Sequence, residues 1–472
     1  MTRTNAPNFF SRTPVIFASI LVSGFSWYLS TGLNGDHWWL VWFAPVPILM
    51  IIPEVTKQKA FWIAFIAYLI GRLSWVPYLN SVLPRLMVII FTLSLPLLFA
   101  IILLVTRNII LKSKHWAAFL SFPVLYAGFE WIYFQVSRDG TAGSLAYSQA
   151  DCMPLIQIAS ITGVTGISFI ICLIPALLAG ALHFRRDMKP ISPPLILLSF
   201  TTALIFTFGF IRLNRFNDSP TVKIGMIVID ELYRDDSTET ILQQYAKVMD
   251  SMKGDSLQII LLPEKIVSIA NDAQLKIITD AANRNNVDLI VGITRESKKE
   301  KLNQSLLFSG DQPAQAYTKV NLYEGEAYEG YTPGRVLHEG SWRNESIGLV
   351  VCKDMDFDRF IRQYKKATIL FVPAWDFIRD DWLHSRMAIM RGVENGFSIA
   401  RNARQGRLTI SDFCGRVLTE RSSADGKEQV LIGQLPAKKI PSLFSKIGNI
   451  PGLLYIIAAS WILILFFKNK AA

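Results

Sequence analysis

IGLVVCKDMDF, residues 347–357, decides how the second half of this chain reads. Ile347, Leu349, Val350 and Val351 have the apolar, β-branched character of a strand buried on both faces. The run stops at Cys352, and four of the next six residues are charged. A thiol at the tip of a buried strand is a candidate nucleophile if a base or a cation lies beside it. Alone, it reads equally as a small buried hydrophobe.

Working outward, similar runs recur from Val222. VKIGMIVI (222–229), SLQIILLPE (256–264), VDLIVGIT (287–294) and ATILFVPAW (367–375) read as strands. SLLFSG, AQAYTKVNLY, FSIARNA and RLTISDFCGRVL add further strands and hairpins, while residues 271–285 and the stretch around RMAIMRGVENG read as helices. Strands alternating with helices predict an α/β sheet with chemistry at strand ends. Two more reactive side chains sit at such ends: Glu264 after LLP, and Lys319 in AYTKVNLY. The separations from Glu264 to Lys319 and from Lys319 to Cys352 are 55 and 33 residues, so only folding can join them. Singly, they read as a cap, a surface charge and a buried thiol. As a set they make a coherent site. Glu264 takes the thiol proton, and Lys319 stabilises the thiolate and then the oxyanion of a tetrahedral intermediate.

The rest of the chain is of another kind. Of 472 residues, 51% are hydrophobic and 18% charged, and the mean hydropathy is +0.32. That is too apolar for an ordinary soluble protein. The excess lies before residue 215 and after residue 448. Runs near the roughly 20 residues needed to cross a bilayer cover 14–33, 38–53, 60–79, 86–106, 116–136, 160–184, 192–211 and 449–467. The expected organisation is a transmembrane bundle of about seven helices over 1–215, a catalytic domain over 220–440, and a C-terminal transmembrane helix over 448–468. With the N-terminus in the cytoplasm, the inside segments hold Arg3, Arg12, Lys57, Lys59, Arg107, Lys112, Lys114, Arg185, Arg186, Lys189, Lys468 and Lys470. The short outside loops hold little more than Arg85 and Arg138, a positive-inside bias that turns the soluble domain to the periplasm or exterior. Glu130, inside the fifth run, is either a functional or pairing residue or one that reaches water at the helix end.

The net charge of +11 belongs to these membrane-flanking cations. No Lys/Arg run is interleaved with aromatics, which argues against nucleic acid. Four cysteines (Cys152, Cys172, Cys352, Cys414) without a C-x-x-C pair, and only five histidines, argue against a metal site.

LLPEKIV, YTKVNLY and GLVVCKDMDF resemble the nitrilase superfamily, whose sites use a Glu-Lys-Cys triad. Residues 384–418 are similar to its helix, strand and hairpin. In the apolar half, FEWIYF (129–134), SLAYSQ (144–149), PLIQIASITGVTGISFII (154–171) and Trp75 in GRLSWVPY resemble the apolipoprotein N-acyltransferases of the bacterial inner membrane. That resemblance implies a nitrilase-like αββα sandwich set between a bundle of spans and one C-terminal span. It implies transfer of an acyl chain from a membrane phospholipid, through a thioester on Cys352, to the α-amine of a lipoprotein N-terminal diacylglyceryl-cysteine, with no cofactor. Glu264, Lys319 and Cys352 match the triad. Glu326 matches a second glutamate of the family, with Glu324 and Glu329 as rivals, and Lys353 and Trp375 are supporting candidates. Lys353 replaces an aromatic residue, only a short segment joins Glu326 to Pro333-Gly334, and Asp230-Glu231 stand in place of a Gln-x-Asn. The short segment resembles soluble amidases, so a membrane-tethered amidase or C–N hydrolase is the alternative reading, and a non-catalytic membrane protein the third.

Overall fold

Strands that are apolar at successive positions must bury both faces, and the computed structural model shows how these do. Residues 9–113, 115–185, 192–216, 219–230, 237–310 and 312–468 are described. Arg3, Lys114, Arg186, Lys189 and Lys470 of the charge count, and Glu231, lie outside the described residues. The chain divides into two compact units. One comprises Met1–Ser137, Gly143–Ile211 and Asn449–Ala472; the other comprises Arg138–Ala142 and Arg212–Gly448.

In the first unit, six helices among the described residues are long and apolar enough to cross a membrane: Thr13–Ser30, Lys57–Val82, Arg85–Ser113, Trp116–Val136, Val164–Arg185 and Ser192–Arg215. The apolar helix Ile450–Lys468 follows the second unit in sequence. The run at 38–53 departs from the expectation. It is not one helix but three short pieces, Trp38–Trp42, Val46–Ile51 and Ile52–Glu54. Pro45 and Pro53 fall at or next to the breaks between the pieces and Pro47 in the first turn of the second, where missing backbone donors favour starting a new helix over continuing one. Its Val41, Ile48, Leu49, Ile51 and Ile52 are fully buried all the same. Glu130 does not reach water. It is 5% exposed, and its Oε1 accepts from the Leu145 N–H at 3.0 Å and the Ser144 hydroxyl at 3.2 Å.

The second unit holds two sheets. The first comprises β1 (Thr221–Val228), β2 (Ile259–Leu261), β3 (Ser268–Ile269), β4 (Asp288–Glu296), β5 (Lys301–Phe308), β6 (Gln315–Thr318) and β13 (Gln429–Pro436). Its order is β13-β1-β2-β4-β5-β6, with β3 beside β4. The second comprises β7 (His338–Trp342), β8 (Glu345–Leu349), β9 (Ile369–Trp375), β10 (Ser398–Arg404), β11 (Arg407–Ser411) and β12 (Val417–Ser422), in the order β12-β11-β10-β9-β8-β7.

The two-residue period of a strand sorts its side chains into layers. Ile224, Met226, Ile259, Leu261 and Ile290 pack between the sheets against Ile347, Leu349, Ile369, Phe371 and Leu408. Their neighbours Ile227, Ile260, Leu289 and Val291 pack outward on Leu242, Tyr245 and Met249 of the helix Thr238–Ser251 and on Ile278 and Ala281 of the helix Lys276–Arg284. Across the sandwich, Leu370, Val372 and Ile399 pack outward on Ala388 of the helix Asp381–Asn395. The result is the expected αββα arrangement, in which each fully buried Leu, Ile or Val contributes about 1.5–3 kcal/mol. Polar links also cross the sandwich: the Asn402 side-chain amide donates to the carbonyls of Ile227 and Leu261 at 3.0 and 2.6 Å, and the Trp342 indole N–H to Asp288 Oδ2 at 2.8 Å.

β1, β2 and β4 are parallel, as are β8, β9 and β10. The segments after β2 and β8 therefore both leave at the carboxyl ends of parallel strands, where α/β sheets place their ligands.

Candidate active site

Glu264 lies three residues past the end of β2. Its N–H donates to the carbonyl of Ala374 on β9 at 3.3 Å, so the loop bridges the two sheets. The loop can lie this close because Gly292 on β4 has no side chain: a Cβ there would stand 2.5 Å from the Pro263 carbonyl oxygen and 2.6 Å from the Glu264 Cα. Lys319 follows β6 directly, with its N–H on the Asn303 carbonyl of β5 at 2.9 Å.

Cys352 is not the tip of its strand. β8 ends at Leu349, and Val350 and Val351 run on, Val350 N–H still donating to the Phe371 carbonyl at 3.1 Å. Cys352 opens a 3₁₀ turn, Cys352–Asp356, with φ of +41°. A side-chain-bearing residue in this region carries strain of order 1–3 kcal/mol, which the surroundings must hold in place. Its sulfur contacts the Trp375 carbonyl at 3.5 Å.

The polar side chains converge. Lys319 Nζ lies 2.9 Å from Glu264 Oε1 and 2.8 Å from Glu326 Oε2. Lys265 Nζ reaches Glu326 Oε1 at 3.0 Å. The Asn303 amide donates to both carboxylates, at 2.5 and 2.6 Å. Glu264, Lys319, Glu326 and Asn303 are all buried. Of the three rival acids, only Glu326 meets the lysines. Glu324 is exposed and lies 3.7 Å from Arg138, and Glu329 is exposed and lies 3.9 Å from Lys301.

Two carboxylates thus face two ammonium groups, with no more than 15% of any of the four side chains exposed. Burial would push the Glu326 carboxyl up, but Lys319 and Lys265 outweigh it and hold it down at about 2. Burial opposes the Lys319 charge, yet Glu264 and Glu326 raise its pKa well above the usual lysine value. Glu326 spends both oxygens, accepting also from the Tyr323 N–H at 3.0 Å. Among the described residues, the hydrogen bonds to Glu264 fall on Oε1 alone, so Oε2 is available to a proton. Burial, and then the Glu264 charge, push the Cys352 thiol well above its ordinary value, with Lys319 opposing. The thiol is therefore protonated at neutral pH, and the arrangement suits deprotonation during attack rather than a standing thiolate.

Lys353 does not serve the sulfur: its Nζ is held by Asp139 at 2.5 Å. Nor is Asp354 a solvated charge. It is fully buried and accepts from the Tyr317 hydroxyl (2.6 Å), the Asn321 N–H (2.8 Å) and amide (2.9 Å), and the Val351 N–H (3.2 Å). It ties the segment carrying Cys352 to the segment carrying Lys319. Trp375 lies between two cations, Arg404 at 4.0 Å and Lys265 at 5.1 Å from the ring, and its carbonyl meets the thiol. Behind it, Arg401 and Asp376 form a buried two-point pair at 2.9 and 2.5 Å.

Sequence reasoning missed Lys265, Asn303, the tie made by Asp354, and the Arg401–Asp376 pair. Only Asn303 left a signal: Asn303, Gln304 and Ser305 are consecutive polar residues inside a strand, where burying a polar side chain is costly.

Residues 15–177 match the family profile described as the apolipoprotein N-acyltransferase N-terminal domain, and residues 229–442 match that of the carbon-nitrogen hydrolases. Two proteins named apolipoprotein N-acyltransferase align along most of the chain. The one from Chlorobaculum tepidum is 24% identical over 81% of this chain and 83% of its own length. That from Geobacter metallireducens is 23% identical over 92% of each. The chain thus carries, in this order, matches to an apolipoprotein N-acyltransferase N-terminal domain and to a carbon-nitrogen hydrolase domain, and is similar to apolipoprotein N-acyltransferases along most of its length. Among solved structures, a variant of the Nesterenkonia AN1 amidase from the nitrilase superfamily aligns with a TM-score of 0.42 and 18% identity, over 47% of this chain and 92% of the amidase. The two profiles follow the two units: the first covers most of the helical unit, and the second the sandwich.

Proposed function

We propose that this chain is an N-acyltransferase that moves an acyl chain from a membrane phospholipid to the α-amine of a lipoprotein's N-terminal diacylglyceryl-cysteine, with Cys352 as the carrier. The observation that supports the mechanism is the buried meeting of Glu264, Lys319 and Glu326, with the Glu264 and Lys319 charges acting on a thiol held at positive φ. Glu264 takes the Cys352 proton as the sulfur attacks the ester carbonyl. Lys319 and the Lys353 N–H, in the first turn after the nucleophile, stabilise the oxyanion. Collapse breaks the ester C–O bond, and the leaving alkoxide recovers the proton from Glu264 as a lysophospholipid. In the second half the acceptor amine attacks the thioester and gives Glu264 a proton. The C–S bond breaks, and the sulfur takes that proton back. Glu326, fixed as an anion, balances the Lys319 charge without competing for protons. The cation distribution along the first unit supports a cytoplasmic N-terminus and a catalytic unit facing the periplasm of a bacterial inner membrane.

The experiment is to incubate the purified protein with phospholipid and weigh the peptide containing Cys352. An acyl adduct that survives in water and disappears when a diacylglyceryl-cysteine peptide is added supports acyl transfer. Prompt discharge to free fatty acid in water instead favours the amidase-like reading that the short Glu326–Pro333 segment suggests.

A further inference from the structure

The turn that carries the nucleophile is short, and part of what fixes it comes from far away in sequence. Cys352–Asp356 is a single stretch of 3₁₀ helix whose first residue stands at φ +41°. So short a 3₁₀ segment has little stability of its own, and the carbonyls at its end have no partner within it. The carbonyl of Asp356, the last residue of the turn, is taken by Thr141. The Thr141 N–H donates to it at 2.9 Å and the Thr141 hydroxyl at 3.0 Å. Residues Arg138–Ala142 belong to the same compact unit as the turn, although in sequence they follow the apolar helix Trp116–Val136.

This grip is buried: Thr141 is 1% exposed and Asp356 3%. Two donors thus meet both lone pairs of one carbonyl out of reach of water. Gly140 lets the two segments come so close. Its φ is +51°, and a Cβ there would stand 2.3 Å from the Asp356 carbonyl oxygen and 3.2 Å from the Phe357 ring. The Asp356 carboxylate is placed as well, 3.9 Å from Nδ1 of His384, whose Nε2 lies 2.8 Å from Asp380. Asp139 pairs with the Lys353 side chain at 2.5 Å, but Asp139 is half-exposed and such a pair contributes little. The turn is therefore fixed at two points beyond its own strand: in the middle by Asp354, on Tyr317 and Asn321, and at the end by Thr141.

We propose that Thr141 is a positioning residue for the acyl transfer: by holding the Asp356 carbonyl it sets the turn that offers the Lys353 N–H to the oxyanion. Donors of this kind act only when they stand about 2.7–3.1 Å from the place where the negative oxygen forms. A shift of a few tenths of an ångström in the turn therefore slows attack on a carbonyl and leaves the sandwich intact. The proposal rests on the reading of Cys352 as the acyl carrier, and the experiment separates the two.

Full-length wild type, Thr141→Val, Thr141→Ser and Gly140→Ala are compared in detergent micelles. p-Nitrophenyl butyrate reports acylation: the sulfur attacks the carbonyl, the ester C–O bond breaks, p-nitrophenolate leaves, and Glu264 takes the thiol proton. Iodoacetamide reports the sulfur alone, because displacement of iodide at a CH₂ group builds no oxyanion. Thr141→Val keeps the shape and the N–H and loses one donor. Its burst of p-nitrophenolate is about three- to tenfold slower, the worth of one hydrogen bond, at an unchanged half-saturating ester concentration and an unchanged alkylation rate. Thr141→Ser restores the burst to within about twofold of wild type. Gly140→Ala, which pushes a methyl group onto the Asp356 carbonyl, slows the burst further; the two Thr141 variants decide the matter if that protein does not fold. A Thr141→Val burst at the wild-type rate overturns the proposal, and so does Thr141→Ser as slow as Thr141→Val. Acylation and alkylation slowed equally also overturn it, because Thr141 would then act on the thiol and not on the oxyanion. Wild type that gives no burst overturns the acyl-carrier reading, and the proposal with it.

Discussion

Replacing Glu326 with Gln removes the anion that two lysines share. Lys319 Nζ stands 2.8 Å from one oxygen and Lys265 Nζ 3.0 Å from the other, with Glu326 2% exposed. These lysines hold its carboxyl at about 2, against an ordinary 4.5. At 1.36 kcal/mol per pH unit the difference corresponds to roughly 3 kcal/mol of stabilisation. Because the folded-state value is depressed, that stabilisation is complete above about pH 4.5 and disappears as the pH falls through about 2. An amide placed there offers an N–H₂ to one of the two ammonium groups, so the loss at neutral pH is at least of this size, in line with the roughly 3–5 kcal/mol for halving a buried ion pair. For a unit of 150–250 residues this is a fall of about 6–12 °C in Tm. Thermal unfolding of wild type and Glu326→Gln in the same detergent, followed by tryptophan fluorescence at pH 7 and again at pH 3, reads it directly. The gap should be wide at pH 7 and narrower at pH 3. Acylation of Cys352 should also slow, because Lys319, freed from Glu326, is drawn more firmly to Glu264. A variant as stable as wild type at pH 7, or a gap that does not shrink on acidification, refutes the charge accounting of the site.

Three further outcomes follow from the same geometry. Glu264→Gln should abolish the acyl adduct yet speed alkylation of Cys352 by iodoacetamide at a given pH, because the carboxylate that raises the thiol pKa is gone; slower alkylation would mean that Glu264 stabilises the thiolate instead. Asp354→Asn should cost about 2–3 kcal/mol in unfolding measurements, since an amide cannot accept from both the Tyr317 hydroxyl and the Val351 N–H as Oδ2 does. Burial raises the Asp354 carboxyl to about 6, so its charge becomes more costly as pH rises from about 4 to 6, and the penalty of the variant should be smaller at pH 7 than at pH 4. Lys353→Met should leave the pH profile of Cys352 alkylation unchanged and cost under about 1 kcal/mol, because the lysine is spent on a half-exposed Asp139; a displaced profile would return it to the nucleophile.

Which features could be read in advance follows from their range along the chain. Apolar period and run length are local, so β1, β4 and β9 are legible in VKIGMIVI, VDLIVGIT and ATILFVPAW, and so are the long apolar helices. β7 and β13 were not singled out: HEGSW and QVLIGQLP are short or partly polar edge strands, defined by the partners they pair with. The broken segment at 38–54 was legible in its three prolines, which hydropathy averaging hides.

By itself the sequence determined the apolar character of the first part and the α/β class of the second, and it nominated Glu264, Lys319 and Cys352 as a candidate site, because motif spacing and hydropathy are written in consecutive letters. Only tertiary structure decided among Glu324, Glu326 and Glu329, since that choice depends on which carboxylate meets ammonium groups from β6 and from the loop after β2. It also decided that Lys353 turns to Asp139, that Asp354 is an internal tie, and that Cys352 takes a left-handed backbone at the head of a turn. Each of these is fixed by where distant segments of backbone arrive. A carboxylate, a lysine or a thiol acquires its pKa and its partner only from the charges and low-dielectric packing that folding brings around it.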